Sequence, residues 1–499
     1  MDNFDVIVIG AGSAGAVLAA RCSEDPGLSV LLLEAGPDHS SAATPAGIRG
    51  PNFLQAVMEP DRIWPALVAR RAAGQLESLY ARGRGAGGSS AVNAMGCIRG
   101  TADDYDRWAG ELGCGGWGWP EMLRTFLMVE DDADYGGDDA HGKGGPIPLQ
   151  RVPFDALPPL DRALRAAMTD LGYPECDDYH EPGATGISRI ALTRRDGRRV
   201  STNDAYLEAA RSRPNLEVRG NTLVDRIILD GRRAVGLRTA NGTEIAAQEI
   251  FVSAGAIHSP AILLRSGIGV DDGRPVGKNL KEHASTPGLE LALSETGRMP
   301  SAEAPLFTSA LRYTSELAGA GPNDMQIVWF SGVGPTDDTI AGGRMFGAVM
   351  CVFSHGEVRL RSSDPNADPI VEFNMLSDER DLVRLRDCMH RMIDIVRGPA
   401  LTSIVDGVVA LTTPIDELDT DAAIDAWLRA NVTDYVHAAG TCRMGSADDP
   451  AAVVDTECRV IGYDGVRVCD ASVMPDIPRA NTHLTTVAIA ERLVERMRS

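Results

Sequence analysis

The clearest chemical feature of the sequence is a glycine-rich turn close to its start. Gly10, Gly12 and Gly15 stand in the string GAGSAG, after the strand-like residues DVIVI and before a helix-like segment. Glycines at this spacing allow a tight turn, let backbone N–H groups approach a pyrophosphate, and let the helix pack closely on the strand. Glu34 ends the next strand-like segment, where a carboxylate can accept hydrogen bonds from a ribose diol. These residues predict a dinucleotide-binding site.

The same turn serves nicotinamide and flavin dinucleotides, so by itself it does not choose between NAD and FAD. Two further glycine-rich segments lie far along the chain, at Gly83 to Asn93 and at Gly255 to Gly269. A nicotinamide enzyme usually needs one compact dinucleotide domain, whereas three separate segments indicate a long ligand that is held along its length. The three segments together favour FAD.

Two kinds of sheet are predicted to position these segments. Residues 2–36 have the pattern of a right-handed β-α-β unit, and alternating strands between 215 and 269, with a turn at Asn241-Gly242, would extend the same sheet. Residues 285–375 are mostly strand-like, including GEVRLRS at 356–362, and predict a separate antiparallel sheet. Helical spacing of apolar residues predicts helices over 378–397 and 418–430.

The fold class is therefore α/β with an α+β second lobe. No repeat or long linker divides the sequence, so each lobe is expected to be built from several segments. We expect a Rossmann-like FAD-binding domain formed by residues 1–150, 215–284 and 455–499, and a substrate-binding domain, an antiparallel sheet with helices, formed by 151–214 and 285–454.

The composition and net charge of the chain indicate which classes of binding partner to expect. The chain has 499 residues, 44% of them hydrophobic, and a formal net charge of −22 at pH 7. A field of that sign repels nucleic acids and anionic membrane surfaces, so the sequence favours small-molecule partners and no nucleic acid. The first residues carry no basic n-region, and no apolar stretch is long enough to span a bilayer, which predicts a cytoplasmic protein without a membrane span. The cysteines form no C-x-x-C pair, which predicts reduced thiols.

Both later glycine-rich segments also carry a family resemblance. RGRGAGGSSAVN at Arg82 to Asn93 and GAIHSPAILLRSGIG at Gly255 to Gly269 resemble the two signatures of the glucose–methanol–choline (GMC) oxidoreductases. The first signature differs from the family pattern at Ala86 and Cys97, where the changes affect packing rather than chemistry. Further similar strings are VGKNLKEH at 276–283, GTCRMG at 440–445 and VCDASVMP at 468–475, so the resemblance covers both lobes.

The resemblance implies where FAD would lie. The ADP half would contact the first turn and Glu34, Val224 would meet adenine through its backbone, Asn93 would flank the isoalloxazine, and Asp470 would lie near the ribityl chain and pyrophosphate. The cofactor residues that it implies are Gly10, Gly12, Ser13, Ala14, Gly15, Glu34, Ala35, Gly36, Arg84, Gly87, Gly88, Ser89, Asn93, Ala94, Val224, Ala254, Gly255, Asp470, Ala471, Asn481 and Thr482. Some relatives attach FAD through a histidine just before the asparagine; that position is Val92 here, which predicts a noncovalent flavin.

The resemblance also implies a catalytic pair, His437 in YVHAAGT and His483 in RANTHLTT. Both would face the flavin. Oxidising an alcohol requires removal of the hydroxyl proton while hydride leaves carbon for flavin N5, and a neutral imidazole beside the hydroxyl is suited to act as the base. A second histidine can donate a hydrogen bond to the transient alkoxide. We assign the base to His437, and the orienting and oxyanion-stabilising role to His483.

The remaining histidines are predicted to carry no chemistry. His39, His141, His180 and His355 lie in loop-like segments, His390 lies on a predicted helix, and His258 and His283 lie inside family motifs as packing or turn residues. No pair has the spacing H-x-x-x-H or H-E-x-x-H, so no metal site is predicted.

The predicted reaction is the oxidation of a primary or secondary alcohol to an aldehyde or ketone, with electrons passed to oxygen or another acceptor. A histidine at 483, where many relatives have asparagine, and an aromatic content of 5% disfavour a quaternary-ammonium substrate. Four alternatives stay open: a mycofactocin-type dehydrogenase that uses a redox peptide or carrier, a hydroxynitrile lyase, a fatty-acid photodecarboxylase, in which a cysteine is expected where Val333 stands, and a non-catalytic flavoprotein scaffold. Which alcohol is oxidised depends on the wall formed by residues 285–375.

Overall fold

A computed structural model describes residues 2–301, 304–333 and 340–498. The strands in these ranges are β1 (Asn3–Ile9), β2 (Val30–Leu33), β3 (Val68–Arg70), β4 (Ser78–Leu79), β5 (Glu130–Asp132), β6 (Ile147–Leu149), β7 (Gly186–Arg189), β8 (Arg194–Arg195), β9 (Arg198–Arg199), β10 (Leu216–Arg219), β11 (Val224–Asp230), β12 (Arg233–Thr239), β13 (Glu244–Val252), β14 (Leu289–Leu293), β15 (Ser309–Tyr313), β16 (Met325–Ser331), β17 (Gly342–Val349), β18 (Glu357–Arg359), β19 (Ile370–Glu372), β20 (Val405–Ala410), β21 (Thr413–Pro414) and β22 (Val466–Val468). The α-helices are α1 (Gly15–Cys22), α2 (Ala46–Arg49), α3 (Phe53–Met58), α4 (Ala102–Gly110), α5 (Trp119–Val129), α6 (Pro159–Asp170), α7 (Glu208–Ala210), α8 (Gly255–Arg265), α9 (Glu379–Val396), α10 (Pro399–Thr402), α11 (Asp421–Asn431) and α12 (Thr482–Arg498).

The first sheet has the strand order β10-β2-β1-β13-β12-β11, with β22 paired to the far end of β13. Strands β10, β2, β1, β13 and β22 run parallel, and β12 and β11 extend the sheet as antiparallel strands. Every residue of β2 is buried, as expected of a parallel strand covered on both faces. The predicted β-α-β unit is confirmed as β1, α1 and β2, and so is the predicted extension of this sheet by the strands after residue 215.

The parallel strands bring distant segments of sequence to one edge. Their carboxyl ends lie side by side, so the residues that follow them, Gly10 after β1, Glu34 after β2, Ser253 after β13 and Asp470 after the Cys469 that follows β22, become neighbours. In open parallel sheets ligands bind in the crevice outside these carboxyl ends. The topology of the first sheet therefore places the predicted dinucleotide site at this edge.

The second sheet is antiparallel and has the order β21-β20-β14-β17-β16-β15-β7. Alternate residues of its strands face opposite sides. Trp329 of β16 donates to Asp161 of α6 at 2.9 Å, and a Cβ on Gly347 of β17 would lie 2.2 Å from the Cys388 sulfur of α9, so these positions face the helices. Phe330 and Phe346 lie on the opposite face of the sheet, toward the cofactor-binding edge. The predicted antiparallel sheet with helices is thus present.

The helices predicted at 378–397 and 418–430 correspond to α9 and α11. The Asp378 side chain caps α9 by accepting from the Arg380 N–H, and the Thr420 hydroxyl caps α11 by accepting from the Ala423 N–H. Within the described residues, no helix combines the length and the apolar character that a membrane span requires.

Two segments lie elsewhere than the sequence pattern suggested. β18, from the strand-like segment expected in the second sheet, pairs with β19, and β19 pairs with β3, so these short strands form a smaller sheet of their own. Residues 203–210, expected in the substrate domain, pack on α1 of the first lobe. The ion pair between Arg211 and Asp38 and the hydrogen bond from Ser41 to Asp204 hold them there. These contacts join residues that are more than 160 positions apart in sequence, so the local hydrophobic pattern does not indicate them.

Candidate active site

A cleft of about 570 Å³ runs from the carboxyl edge of the first sheet to the face of the second sheet. Most of the residues predicted to bind the cofactor line it: Gly10, Gly12, Ser13, Ala14, Glu34, Ala35, Gly88, Ser89, Asn93, Ala94, Val224, Ala254, Gly255, Asp470, Ala471, Asn481 and Thr482. His437 and His483 line the same cleft. Residues that are distant in sequence thus share one elongated space.

Gly15, Gly36, Arg84 and Gly87, which were also predicted to bind the cofactor, stand behind the wall of the cleft. A Cβ on Gly15 would lie 1.8 Å from the Gly10 carbonyl oxygen, so this glycine allows α1 to pack on β1. A Cβ on Gly36 would lie 2.5 Å from the Gly85 nitrogen. Arg84 donates to the Ala35 carbonyl oxygen at 2.9 Å and lies over the Trp64 ring. These residues fix the conformation of the loops, and other residues of the same loops line the cleft.

The two glycine-rich loops touch each other across the cleft floor. The Gly87 N–H donates to the Ala11 carbonyl at 2.9 Å, and a Cβ on Gly88 would lie 2.7 Å from the Gly12 Cα. Gly88 has a φ of 51° and Gly10 a φ of 99°, both in the left-handed region where glycine is favoured. The loops leave a cradle lined by backbone, which suits a pyrophosphate-bearing ligand such as FAD.

The Glu34 carboxylate joins three loops at the adenosine end of this cradle. It accepts hydrogen bonds from the backbone N–H groups of Ala11, Gly36 and Gly85, each at 2.8 Å. A carboxylate offers about four acceptor positions, so capacity remains for a ribose hydroxyl. The position of Glu34 in the cleft therefore fits its predicted role, and its three backbone contacts add a structural role that the sequence did not reveal.

Two helices begin at the cleft. Asp470 accepts from the Gly255 N–H at 2.8 Å and from the Ser259 hydroxyl at 2.5 Å, which anchors the start of α8. A Cβ on Gly255 would meet no atom within 4 Å, so space for a ligand lies beside this helix start. α12 begins at Thr482, also on the cleft. The partial positive charge at helix N-termini favours anionic groups of a bound cofactor.

At the other end of the cleft, three polar side chains converge. His437 Nε2 lies 3.4 Å from the amide nitrogen of Asn481, and His483 Nδ1 lies 3.0 Å from the Ser13 hydroxyl oxygen. His483 Nε2 and Asn481 Oδ1 are buried and have no hydrogen-bonding partner within the described residues. Buried polar atoms are nearly always paired in a functioning protein, so these two atoms point to a ligand. The cleft therefore fits FAD with its reacting end beside the histidines.

Both predicted catalytic histidines are neutral at pH 7. Loss of hydration, together with His283 and Arg82 nearby, lowers the pKa of His437 well below its usual value. Burial, with the charge of Arg199, lowers the pKa of His483 to about 4. A neutral imidazole is the form that can accept a proton, so the environment of His437 suits a base.

His283, which the sequence analysis treated as a packing or turn residue, contacts the predicted base directly. Its Nδ1 lies 3.0 Å from His437 Nδ1, and its Nε2 lies 3.1 Å from the Pro478 carbonyl oxygen. The neighbouring Glu282 carboxylate accepts from the backbone N–H of His437 at 2.7 Å and from the Tyr80 hydroxyl at 2.8 Å. The sequence analysis did not anticipate this contact, because it joins residues 154 positions apart and leaves no local pattern.

Arg199 is a second residue that the sequence analysis missed. It is buried and donates to the Asn93 side-chain oxygen at 2.7 Å and to the Ser90 carbonyl at 3.3 Å. It makes no ion pair among the described residues, and burial lowers its pKa to about 10. It therefore supplies a fixed positive charge behind Asn93 and close to His483.

Aromatic rings form the wall where the substrate would lie. Phe330 lies 5.1 Å from Phe53, 5.1 Å from Phe307 and 5.5 Å from Phe346, measured between ring centroids. Tyr435 and Val333 also line this part of the cleft. The aromatic content is an average over the whole chain, so it does not reveal that several rings gather at this place.

His141 and His180, predicted to be ordinary loop residues, are buried in a charged network away from the cleft. His141 Nδ1 bonds to Asp138 at 2.7 Å and its Nε2 bonds to Asp178 at 2.9 Å. Asp132, His141 and His180 have potential ligand atoms within 4.8 Å of one another. Arg151 pairs with Asp132 and Asp178, and both His141 nitrogens bond to carboxylates, so these ion pairs and hydrogen bonds hold the loops together.

Fold and cleft together define a two-lobed dinucleotide-binding enzyme. Models of the N- and C-terminal parts of GMC oxidoreductases match residues 4–285 and 352–490. The chain is 35% identical to 5-(hydroxymethyl)furfural oxidase from Methylovorus sp. (strain MP688), over 99% of this chain and 98% of the relative. It is 34% identical to oxygen-dependent choline dehydrogenase from Klebsiella pneumoniae (strain 342), over 99% and 96% of the two chains. The crystal structure of pyridoxine 4-oxidase from Mesorbium loti superposes with a TM-score of 0.89 and 31% identity, covering 99% of each chain.

The chain belongs to the GMC oxidoreductase family. Members of this family are FAD-dependent oxidoreductases that act on alcohols. The resemblance seen in the sequence motifs and the predicted fold class are thereby confirmed.

Proposed function

We propose that this protein oxidises a primary alcohol borne on an aromatic or furanic ring to the aldehyde, with His437 as the base and FAD held noncovalently. The observation that carries the proposal is the neutral His437 imidazole, which lines the cleft between the cofactor cradle and the ring of phenylalanines. The relatives named for 5-(hydroxymethyl)furfural and pyridoxine are named for aromatic primary alcohols, which supports the substrate class.

Each step has a group of this chain suited to it. His437 would accept the hydroxyl proton while the alcohol carbon gives up its hydride, so that the alcohol loses two electrons and two hydrogens and becomes a carbonyl. When Ser13 donates to Nδ1 of His483, Nε2 of His483 carries the hydrogen and can donate to the substrate oxygen. Bound flavin supplies the hydride acceptor at N5. The phenylalanine wall holds the ring and excludes water.

A quaternary-ammonium substrate is less well supported by the cleft. Cation binding would use the faces of aromatic rings. The Arg344 guanidinium already lies 5.8 Å from the centre of the Phe346 ring, and it pairs with Glu290. Because Arg344 already lies over the Phe346 ring, that face is less available to a cationic substrate, and we favour a neutral aromatic alcohol over choline.

Anaerobic mixing of the FAD-loaded protein with a panel of aryl, furanic, sugar and aliphatic alcohols tests the proposal. An aryl or furanic alcohol should bleach the flavin absorption band fastest, and His437→Ala should slow the bleaching by about 10²- to 10⁴-fold, the usual contribution of a general base. His390→Ala, on the solvent-facing side of α9, is the control and should leave the rate unchanged. Near-normal bleaching by His437→Ala would disprove the assignment of the base.

The cofactor linkage and the electron acceptor have separate tests. Val92 is an apolar, buried residue that offers no nucleophile for a covalent bond to the flavin. Acid precipitation should therefore release all yellow colour to the supernatant, and colour in the pellet would contradict noncovalent binding. Steady-state rates with oxygen and with dichlorophenol-indophenol distinguish an oxidase from a dehydrogenase. Cyanohydrin cleavage without bleaching, or light-dependent loss of carbon dioxide from a fatty acid, would instead identify a lyase or a photodecarboxylase.

A further inference from the structure

The hydrogen bonds around His283 determine which nitrogen of His437 carries its proton. A carbonyl oxygen only accepts, so His283 Nε2, 3.1 Å from the Pro478 oxygen, must be the donor in that contact. Burial lowers the pKa of His283 to about 3, so at pH 7 its ring has a single N–H. That hydrogen is at Nε2, and Nδ1 of His283 is therefore an acceptor.

The acceptor at His283 Nδ1 in turn determines the tautomer of His437. His437 Nδ1 lies 3.0 Å from His283 Nδ1, and a hydrogen bond between them requires His437 Nδ1 to donate. His437 is also neutral, so its Nε2 carries a lone pair. The Asn481 side-chain amide lies 3.4 Å from His437 Nε2. The contact with His283 therefore selects one tautomer of His437.

We propose that His283 is a positioning residue that fixes His437 as the Nδ1–H tautomer, so that the Nε2 lone pair is held toward the cleft to receive the substrate proton. The opposite tautomer would set two lone pairs against each other 3.0 Å apart, and its Nε2–H would face the alcohol as a donor. The proposal rests on the proposed function only in taking His437 as the base.

Glu282 completes the arrangement. Its side chain accepts from the His437 backbone N–H, and one of its oxygens lies within 4.8 Å of a ring nitrogen of each histidine. After Nε2 takes the proton from the alcohol oxygen, His437 becomes a cation that still donates through Nδ1 to His283. Burial raises the pKa of Glu282 to about 8, so at pH 7 this side chain is mainly the neutral acid and acts on His437 through the backbone hydrogen bond rather than through charge. His283 therefore serves the ring in both protonation states without releasing or taking a proton itself.

Nitrogen-15 NMR of the FAD-loaded protein, labelled with ring-¹⁵N histidine, tests the tautomer directly. Subtraction of the His437→Asn spectrum identifies the His437 signals. We expect a pyridine-like shift at Nε2 and a pyrrole-like shift at Nδ1. The reverse assignment in the wild-type protein would overturn the proposal, whatever its activity.

Variants at position 283 test the consequence. His283→Leu removes the acceptor, and kcat should fall by 10- to 100-fold with a mixture of His437 tautomers in the spectrum, while flavin content and KM change little. His283→Asn places an amide oxygen near the former Nδ1 position and should recover much of kcat and the single tautomer. A leucine variant with kcat within twofold of wild type would contradict the proposal. If no alcohol bleaches the wild-type flavin, the proposed function fails, but the tautomer is still decided by NMR.

Discussion

Ser13 and His483 are joined by a hydrogen bond of 3.0 Å although 470 residues separate them in sequence. Ser13 belongs to the glycine-rich turn after β1, and His483 belongs to the first turn of α12. The turn that is predicted to bind the cofactor phosphates therefore also contacts one of the two predicted catalytic histidines. In the proposed function, Ser13 would link cofactor binding to the orientation of His483.

Ser13→Ala removes this link without changing the backbone of the turn. His483 Nδ1 would lose its partner in a buried place, which should lower the free energy of unfolding by about 1–3 kcal/mol. Less firm orientation of the ring should lower kcat by roughly tenfold, equivalent to about 1.4 kcal/mol of activation free energy. Thermal unfolding and stopped-flow bleaching measure the two effects. Ser212→Ala, an exposed serine, is the control, and equal behaviour of the two variants would disprove the link.

The sequence was sufficient to predict the β-α-β unit that opens the first lobe because its signals are local. A strand, a glycine turn, a helix and the acid at Glu34 lie within 36 residues, and the structure places them as expected. The parallel topology then brings Asp470 and Gly255 to the same edge. The local sequence pattern, together with the rule that ligands bind at the carboxyl ends of parallel strands, was enough to predict this part of the site.

The contacts that adjust the histidines were not predictable in this way. His283 meets His437, and Arg199 meets Asn93, only after the two lobes have folded together. Phe330 and Phe346 read as ordinary strand residues, and their shared face depends on the register of β16 with β17. Positions that depend on long-range packing leave no periodic signal in one sequence.

The depressed pKa of His483 predicts a loss of stability in acid. The folded-state pKa is about 4, below the ordinary value of 6.5, so the unfolded chain binds this proton more readily. The contribution to stability is complete above pH 6.5 and is lost as pH falls toward 4. Between pH 7 and pH 5 this histidine alone should cost about 2 kcal/mol.

Urea unfolding of the FAD-saturated protein at pH 7 and pH 5 measures this loss. His483→Asn lacks the titrating group, so its stability should fall by about 2 kcal/mol less than wild type over that range. His390→Asn removes an exposed histidine and should follow the wild-type dependence. An unchanged pH dependence in His483→Asn would show that its folded pKa is not depressed.

Val436, just before the predicted base, has a backbone φ of 57°. A β-branched residue in the left-handed region is strained by about 1–2 kcal/mol, whereas asparagine tolerates it. Because the Val436 side chain is 45% exposed, little packing is lost on replacement. Val436→Asn should raise the free energy of unfolding by about 1 kcal/mol and leave kcat within twofold.

Urea midpoints and kcat for Val436→Asn test this expectation. Val270 is 62% exposed and has no positive φ, so Val270→Asn should bring no gain and serves as the matched control. A stabilised variant with low kcat would mean that the valine side chain itself, rather than the backbone turn, positions His437.

Phe330 stands at the centre of the phenylalanine wall and should control substrate choice. Phe330→Ala removes a ring that would stack on an aromatic alcohol, a contact of about 1–3 kcal/mol. We expect kcat/KM for an aryl or furanic alcohol to fall by about 10- to 100-fold, and kcat/KM for a short aliphatic alcohol to fall by less than threefold. Phe154→Ala, an exposed ring outside the cleft, is the control. An equal loss for both alcohols in Phe330→Ala would indicate general damage to the cleft and would remove Phe330 from substrate recognition.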